Sequence, residues 1–352
     1  MNKKHARKKV ALALSGGVDS SVSALLLKER GFDVTTVYMK CWDIPEDSCL
    51  PDENKSYAIQ TAMHLNIDFK ELNFVKEYKS KVINYFYNEY KNGRTPNPDV
   101  MCNKEIKFGL FYSWALKNNF DFIATGHYAR INKNGSMFNL LMGADKTKDQ
   151  SYFLYRLTQE HLRNILFPVG DLIKSEVKNI AEKHTLPSCN RPESMGICFV
   201  GEVDIKEFLE RELKVIKGDV LDTKGDKIGT HDGAWFYTIG QRHGFDVKKY
   251  HQEPLYIVSK DVGNNTLVVG KKEDVKRSEF TINDIHWINE YPSKDKLQVR
   301  IRHLGNLHNC SIEKKNSFIS VNYQEPIFAV APGQSAVFYE GDICLGGGII
   351  SN

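Results

Sequence analysis

The segment that most constrains the fold is a glycine turn near the start of the chain. The residues Ser15-Gly16-Gly17-Val18-Asp19-Ser20-Ser21 follow a short apolar run and open a helical pattern. Where a strand turns through glycines into a helix, backbone amides at the helix N-terminus bind anionic oxygens. The segment, called the glycine loop below, therefore predicts an anion-binding loop. The alternative is an ordinary tight turn in which Asp19 or Ser20 caps the helix.

Two common nucleotide motifs are excluded at the glycine loop. A Walker loop needs the lysine of GxxxxGK[ST], which is missing, and the GxGxxG spacing of a dinucleotide site is absent as well. The anion must therefore be held by another kind of loop.

Short apolar runs alternate with helical patterns through the first half of the chain, which is typical of βαβ units on a parallel sheet. The predicted strands are 10–14, 34–39, 67–72 and 120–125. The predicted helices are 20–30, 56–65, 75–90 and 102–117. Ligands of open α/β sheets bind beyond the carboxyl ends of the strands. We therefore expect the loops after Leu14, Met39 and Thr125 to form one site.

The pattern changes further along the chain. Residues 151–215 are mostly helical in pattern, whereas short β-rich runs such as 235–239 and 266–269 are separated by glycine turns from about residue 216 onward. The predicted fold class is α/β with three domains. These are an N-terminal parallel-sheet domain (1–215), a small central β-rich module (216–278) and a C-terminal antiparallel β-barrel (279–352).

Composition fits an ordinary globular protein and excludes little else. Of 352 residues, 41% are hydrophobic and 26% charged, and the formal charge of +4 permits an RNA partner without arguing for one. No apolar stretch approaches the roughly 18–20 residues that cross a bilayer. The leading basic run is followed by too short an apolar segment for export. We therefore expect a cytoplasmic protein that does not enter membranes.

The seven cysteines have neither CxxC nor metal-ligand spacing, so no metal site, disulfide framework or zinc ribbon is predicted. Cys102 follows a proline-rich helix entry, and we predict Asp99 as the N-cap with Cys102 three residues inside. The helix dipole there favours a thiolate, but the Asp99 carboxylate disfavours one, so Asp99 would serve to move a proton. Cys198 lies on a segment flanked by Gly196 and Gly201. Taken singly, each cysteine would more often be a structural core residue.

Several motifs together resemble a known family. The glycine loop resembles the PP-loop of the ATP pyrophosphatases, which have an adenine nucleotide alpha hydrolase-like fold. Across essentially the whole chain the sequence resembles the tRNA-specific 2-thiouridylases. That resemblance rests on the segments PNPDVMCN (96–103), TGHYAR (125–130), KDQSYFL (148–154), MGICFVGE (195–202) and YTIGQR (237–242).

The resemblance implies a reaction. ATP, accompanied by Mg²⁺, would adenylate the C2 oxygen of the wobble uridine in tRNA for lysine, glutamate and glutamine. Cys198 would carry a persulfide received from a cysteine desulfurase or sulfur-relay protein. Cys102 would attack that persulfide or resolve the resulting disulfide, giving 2-thiouridine, AMP and pyrophosphate. No iron–sulfur cluster is expected.

The resemblance also implies site residues. Those expected at the nucleotide are Ala13, Leu14, Ser15, Gly16, Gly17, Val18, Asp19, Ser20, Met39 and Gly126. Simple strand packing is an equally good interpretation of Met39. Those expected at tRNA are Asn97, Pro98 and Asp99 at the target base, Lys148, Asp149 and Gln150 at the anticodon region, and Arg302 and His303 in the barrel.

The family has an arginine–tyrosine pair where this chain has Arg302 and His303, although histidine can also stack on a base. Arg300, Arg302, Lys294 and Lys296 form a possible phosphate-binding face. The remaining cysteines, 41, 49, 189, 310 and 344, are predicted to be structural or incidental.

Three other functions compete with this interpretation. The chain could be another PP-loop enzyme, such as a lysidine synthetase or an amidating ligase, neither of which needs two reactive cysteines. It could be a nucleotide-responsive RNA-binding protein without catalysis, which would bind tRNA without releasing AMP. It could also be an iron–sulfur thiolase, although such enzymes use clustered CxxC cysteines.

Overall fold

The computed structural model describes residues 7–42, 52–192, 198, 204–248, 253–292 and 296–351. Its strands are β1 Lys9–Ala13, β2 Asp33–Lys40, β3 Asp68–Asn73, β4 Phe122–Ala124, β5 Ala129–Asn134, β6 Met137–Met142, β7 Ile165–Leu166, β8 Gly218–Leu221, β9 Lys227–His231, β10 Asp246–Val247, β11 Tyr256–Asp261, β12 Thr266–Gly270, β13 Lys276–Trp287, β14 Lys296–Arg300, β15 His308–Lys314, β16 Ile319–Phe328, β17 Ser335–Glu340 and β18 Ile343–Ile350.

The α-helices are α1 Val18–Glu29, α2 Glu53–His64, α3 Val75–Tyr78, α4 Asn84–Lys91, α5 Pro98–Cys102, α6 Tyr112–Lys117, α7 Gln159–Arg163, α8 Lys174–Lys183 and α9 Ile205–Glu210. Two π-helical segments, Lys79–Ile83 and Asn103–Phe111, join α3 to α4 and α5 to α6. Short 3-10 turns occupy Ser151–Leu154, Ala234–Phe236 and Lys272–Val275. Among the helices of the described residues, none has the length and apolar character needed to cross a bilayer.

The first sheet is parallel throughout, with strand order β3-β2-β1-β4-β7. Its central strand β1 reads as a continuous apolar run because helices cover both faces, and Val10, Ala11 and Leu12 have no exposed surface. This confirms the predicted parallel-sheet domain. Strand order reverses between β1 and β4, so the loops that follow these two strands lie at the point where such sheets bind ligands.

The stretch predicted to be mostly helical contains one strand. β7 has two residues and pairs with β4 at the edge of the parallel sheet. A strand this short carries no periodic pattern, so its role becomes visible only through its pairing.

The central module is a five-stranded sheet of order β10-β9-β8-β12-β11. Its hairpins are antiparallel, but β8 and β12 pair in parallel, so the sheet is mixed. The run 235–239 was predicted as a strand, and this is wrong. After Gly233, at φ +139°, the chain forms a 3-10 turn instead, and Phe236 and Tyr237 are both buried.

The last six strands form a closed antiparallel barrel of order β13-β16-β15-β14-β17-β18, closed by pairing of β13 with β18. This confirms the predicted C-terminal barrel. The β5–β6 hairpin from the first part of the chain also joins this sheet, through Leu140 and Leu141 against Cys344 and Ile343. Since β5 begins three residues after Gly126, the ligand edge of the parallel sheet is directly tied to the barrel.

Candidate active site

The glycine loop has the geometry of an anion cradle. Gly16 adopts φ +79°, a left-handed conformation that suits glycine, and α1 begins at Val18 with Gly17 as its N-cap. Gly17 offers no side chain to the helix amides. The alternative in which Asp19 or Ser20 caps the helix is wrong, because both lie inside its first turn. The Ser20 and Ser21 hydroxyls instead donate to the Gly17 carbonyl at 2.9 and 3.0 Å.

Two glycines are required by close backbone contacts at this loop. A Cβ on Gly16 would lie 2.2 Å from the Asn54 carbonyl oxygen, and one on Gly126 would lie 2.8 Å from the Ser20 amide nitrogen. The loop after β4 therefore rests directly on the first turn of α1. Of the other expected nucleotide residues, Ala13, Leu14, Val18 and Met39 are all buried.

Two cations that were not predicted from the sequence flank the glycine loop. Lys174, at the start of α8, donates to Asp19 Oδ1 at 2.6 Å, and the Tyr128 hydroxyl donates to the same oxygen at 2.7 Å. Arg191 donates to the Gly16 carbonyl at 3.1 Å and lies over the Tyr57 ring at 4.5 Å. Positive side chains beside helix amides suit a polyanion such as a pyrophosphate.

The two predicted cysteines come together. Cys102 at the end of α5 has no exposed surface, whereas Cys198 is partly exposed. The Asp99 carboxylate accepts a hydrogen bond from the Cys198 amide at 3.1 Å, and the Tyr78 hydroxyl donates to the Cys198 carbonyl. A hydrogen bond with Cys102, reinforced by burial, raises the pKa of the Cys198 thiol well above its usual range. We call Cys102 and Cys198 the cysteine pair.

The predicted helix cap needs a correction. The N-cap of α5 is Asn97, whose side chain accepts from the Val100 amide at 3.2 Å, and Pro98 occupies the first helical position. Asp99 is instead the second residue of the helix, two positions after the cap. Its carboxylate is therefore available to the cysteine pair rather than to the helix amides.

Lys107 was missed by the sequence reasoning and lies beside the pair. Its Nζ is 3.8 Å from Cys198 Sγ and 3.5 Å from His127 Nε2. Burial favours the neutral amine, but Cys198, Cys102 and Asp99 outweigh it and raise the pKa of Lys107. Burial, with the charge of Lys107, lowers the pKa of His127 well below its usual range. The pocket thus holds one ammonium, one carboxylate and two thiols.

Comparison with known proteins decides the family. Three family models match in chain order. They are the tRNA methyl transferase HUP domain over residues 8–202, the tRNA methyl transferase PRC-barrel domain over 206–271 and the aminomethyltransferase beta-barrel domain over 277–350.

Relatives match along nearly the full chain. The sequence is 44% identical to tRNA-specific 2-thiouridylase MnmA 1 of Geobacillus kaustophilus, over 98% of this chain and 95% of that protein. It is 43% identical to the MnmA of Francisella philomiragia, over 97% of this chain and 99% of that protein. The chain belongs to the MnmA family of tRNA-specific 2-thiouridylases. The resemblance read from the motifs is confirmed.

A third cysteine of this MnmA family member lies near the pair. Cys41 follows β2, is buried, and interacts electrostatically with Lys107 and Cys198. Burial raises its pKa to about 12, so it is a neutral thiol at physiological pH. Cys310 and Cys344 are buried in or beside the barrel, Cys189 is partly exposed, and Cys49 lies outside the described residues. Within the described ranges, no group of three or more His, Cys, Asp or Glu side chains could hold a metal ion.

The segment expected at the target base lies where the three domains meet. Gln334, between β16 and β17 of the barrel, donates to the carbonyls of Thr95 and Pro96 at 3.0 and 3.1 Å. The hydroxyls of Thr95 and Thr238 are 3.0 Å apart, which ties the segment to the central module. Asn97 and Pro98 are thereby held at the start of α5, the helix that ends at Cys102.

The structure places Asp149 and Arg300 away from the surface. The Asp149 carboxylate is fully buried and accepts from the amides of Gly143 and Ser151, at 3.1 and 3.0 Å, and from Arg300 Nη1 at 2.7 Å. The expectation that Arg300 belongs to a phosphate-binding face is wrong, since it is 6% exposed and paired inside the protein. The Asp149 side chain is likewise not available to RNA in this structure. Lys148 and Gln150 on either side of it are partly exposed.

At the barrel surface, Arg302 is exposed and His303 is partly buried. The His303 ring packs on Phe153 with centroids 4.2 Å apart, and burial lowers its pKa. Lys294 and the side chain of Lys296 lie outside what the structure describes. Of the predicted phosphate-binding face, Arg302 is the member that the structure places at the surface.

Proposed function

We propose that this protein is an ATP-dependent tRNA-uridine 2-sulfurtransferase. It would replace the C2 oxygen of the wobble uridine in tRNA for lysine, glutamate and glutamine with sulfur, releasing AMP and pyrophosphate. The observation that carries the proposal is a buried Cys102 beside a partly exposed Cys198, in a chain whose glycine loop has the geometry of an anion cradle. Membership of the MnmA family supports the same reaction.

The glycine loop would serve the first step. A carbonyl oxygen is a poor leaving group, so the uridine O2 attacks the α-phosphorus of ATP and pyrophosphate departs with its electron pair. The amides at the start of α1, with Lys174 and Arg191, would hold the departing pyrophosphate. The Ser15 and Ser20 hydroxyls and the Asp19 carboxylate suit Mg²⁺, which mostly binds phosphates and a few protein oxygens and would neutralise part of the phosphate charge.

The cysteine pair would serve the second step. The Cys198 thiolate attacks the outer sulfur of a persulfide presented by a cysteine desulfurase or sulfur-relay protein, and the donor thiolate leaves. The outer sulfur on Cys198 then attacks C2 of the adenylated uridine, and AMP leaves. Cys102 attacks the inner sulfur, and the electrons of the broken S–S bond pass to the sulfur now on the base. A Cys102–Cys198 disulfide remains, which cellular thiols reduce with two electrons.

Asp99 would act as a proton acceptor while the uridine is activated. One of its oxygens accepts the Cys198 amide, which leaves the other for the base. Asn97 and Pro98 would contact the same base from the start of α5.

The tRNA would cross from this pocket to the barrel. Lys148 and Gln150 would contact the anticodon region, while Asp149 would fix their segment from below through Arg300. Arg302 would contact a phosphate and His303 a neighbouring base. A cytoplasmic location follows from the substrate and from the need for a reducing thiol pool.

The decisive experiment is nucleoside mass spectrometry of unmodified tRNA incubated with the protein, magnesium-ATP and a desulfurase as sulfur source. We expect 2-thiouridine with the wild type and with Cys189→Ser, a control thiol outside the pocket, and none with Cys102→Ser or Cys198→Ser. ATP cleavage without any thiolated base would refute the substrate. Thiolation by a double Cys102→Ser, Cys198→Ser variant would refute the mechanism. Binding of tRNA without AMP release would favour a non-catalytic protein.

A further inference from the structure

The cysteine pocket contains a charge that the reaction above does not use. Lys107 projects from the π-helical segment with its Nζ 3.8 Å from Cys198 Sγ. We propose that Lys107 is a catalytic residue whose ammonium allows the cysteine pair to carry one negative charge at neutral pH. The inference rests on the proposed function, because it concerns the sulfur that would attack the donor.

The surroundings of the pair otherwise oppose ionisation. Cys102 is fully buried, the Asp99 carboxylate is hydrogen-bonded to the Cys198 backbone, and Cys41 and Tyr78 add groups that are neutral at physiological pH. A thiol in such surroundings stays protonated and is a poor nucleophile. Sulfur uptake therefore requires a compensating positive charge close to the sulfur.

Lys107 supplies that charge. Among the described residues, the groups that raise the pKa of Lys107 are the thiols of Cys198, Cys102 and Cys41 and the carboxylate of Asp99. His127, after β4, is a basic group in contact with Lys107, and burial lowers its pKa well below the usual range. The His127 Nδ1 is 2.7 Å from the Thr125 hydroxyl, which fixes the ring and turns Nε2 toward Lys107.

The hydrogen bond between the two thiols determines how the charge is held. The two thiols are hydrogen-bonded to each other, and this bond is the largest influence that raises the pKa of Cys198. If the pair gave up one proton, the remaining proton would lie between the two sulfurs. The apparent pKa of such coupled groups belongs to the pair rather than to either sulfur. A negative charge on the pair would thus be shared by two sulfurs, one of which belongs to the partly exposed Cys198.

The π-helical segment explains why this lysine reaches the pair. In an α-helix, residues five apart point about 140° away from each other. The i→i+5 hydrogen bonding of a π-helix brings positions 102 and 107 closer to one face. Such segments are frequent at functional sites because they change the direction of side chains in this way.

The chemistry balances without a further reactant. The pair's thiolate attacks the outer sulfur of the donor persulfide, the new S–S bond forms on Cys198, and the donor leaves as a thiolate. The persulfide that results is again anionic next to Lys107 when it attacks the adenylated uridine. One ammonium therefore serves both sulfur uptake and sulfur delivery.

The test measures the reactivity of Cys198 without tRNA or ATP. Iodoacetamide alkylation of Cys198 in the full-length protein, followed by peptide mass spectrometry from pH 5.5 to 10, gives the pH profile of the pair. We expect Lys107→Met to move the first rise of this profile upward by about one pH unit or more, which is roughly a tenfold slower alkylation at pH 7. Lys107→Arg, which keeps the charge, is expected to stay near the wild type. Lys104→Met, which removes an exposed lysine from the same helix, should not shift the profile.

Three results separate the possibilities. A Lys107→Met profile that coincides with the wild type overturns the inference, even if the wild type thiolates tRNA. A shifted Lys107→Met profile, together with a wild type that forms no 2-thiouridine, supports the role of Lys107 but refutes the proposed function. If Lys107→Met does not fold, Lys107→Arg decides, because a profile displaced by a unit despite the retained charge would overturn the inference.

Discussion

The glycine loop and the cysteine pocket differ in how the chain builds them. The loop is seven consecutive residues that lead from the turn after β1 into the first turn of α1, and its main support comes from its own backbone and from two glycine contacts. The cysteine pocket is assembled from α3, α5, the π-helical segment Asn103–Phe111, the loop after β4 and Cys198. A site made of contiguous residues can be predicted from the sequence. For a site assembled from distant segments, only the most reactive residues can be predicted in this way.

The two sites also differ in the charged groups they contain. The loop presents amides and two cations to a polyanion, while the pocket places one ammonium among sulfurs and a carboxylate. If the loop serves adenylation and the pocket serves sulfur transfer, a substitution in one site should abolish that site's step and leave the other step unaffected.

The largest effect is expected at the cysteine pocket. Cys198→Ser removes the sulfur that would receive the outer sulfur of the donor under the proposed function, so we expect complete loss of 2-thiouridine. Pyrophosphate release in the presence of tRNA should remain within about threefold of the wild type, since the glycine loop is untouched. Nucleoside mass spectrometry and a coupled pyrophosphate assay on the same samples measure both. A variant that still thiolates would overturn the persulfide assignment.

The converse change is Asp19→Ala. It removes the carboxylate that holds Lys174 and Tyr128 beside the loop, and we expect pyrophosphate release to fall about 10²- to 10³-fold, as when one positioned group is lost. Binding of tRNA, measured by filter retention, should be unchanged, and so should the loading of Cys198 with sulfur. Unchanged pyrophosphate release would remove the loop from the mechanism.

How far the sequence predicts these sites follows from the same distinction. The glycine loop, the parallel sheet and the barrel depend on local sequence patterns and were predicted. Asp99, Cys102 and Cys198 of the pocket were predicted because they lie within sequence motifs. Lys107 was missed because a π-helical segment changes which residues share a helix face. No residue type in the sequence indicates where such a segment occurs. Lys174 and Arg191 were missed because they reach the loop from far along the chain.

Two further errors have local reasons. Asn97 and Asp99 are both good N-caps, and the proline between them, favoured at the first helical position, was the signal that selects Asn97. Arg300 looked exposed because it follows buried Val299 on a strand, where side chains alternate between faces. The segment around Asp149 covers the outer face of β14, which no alternation within the strand can indicate.

Arg300→Met tests whether the buried Asp149–Arg300 ion pair, which joins the segment around Asp149 to β14 of the barrel, stabilises the fold. Breaking a buried pair by removing one partner leaves an uncompensated charge and costs about 3–5 kcal/mol. We expect that loss in urea unfolding followed by tryptophan fluorescence, to which Trp287 contributes from its contact with Phe338 in the barrel. Arg302→Met, an exposed arginine two residues along, is the matched control and should change stability by less than about 0.5 kcal/mol. Equal effects would show that the pair is not a structural link.

The smallest effect is expected from His303→Tyr, which restores the residue expected for the family. The His303 ring already packs on Phe153, and because burial lowers its pKa the ring is neutral at pH 7 and adds no charge toward RNA. A tyrosine keeps the aromatic face, so tRNA affinity should change by less than about threefold, with no difference between pH 6.5 and 8. Arg302→Gln should instead lower affinity and reduce the slope of log affinity against log salt by about 0.7–0.9, the value of one phosphate contact. A salt slope that falls with His303→Tyr and stays constant with Arg302→Gln would mean that the histidine, not the arginine, meets the phosphate.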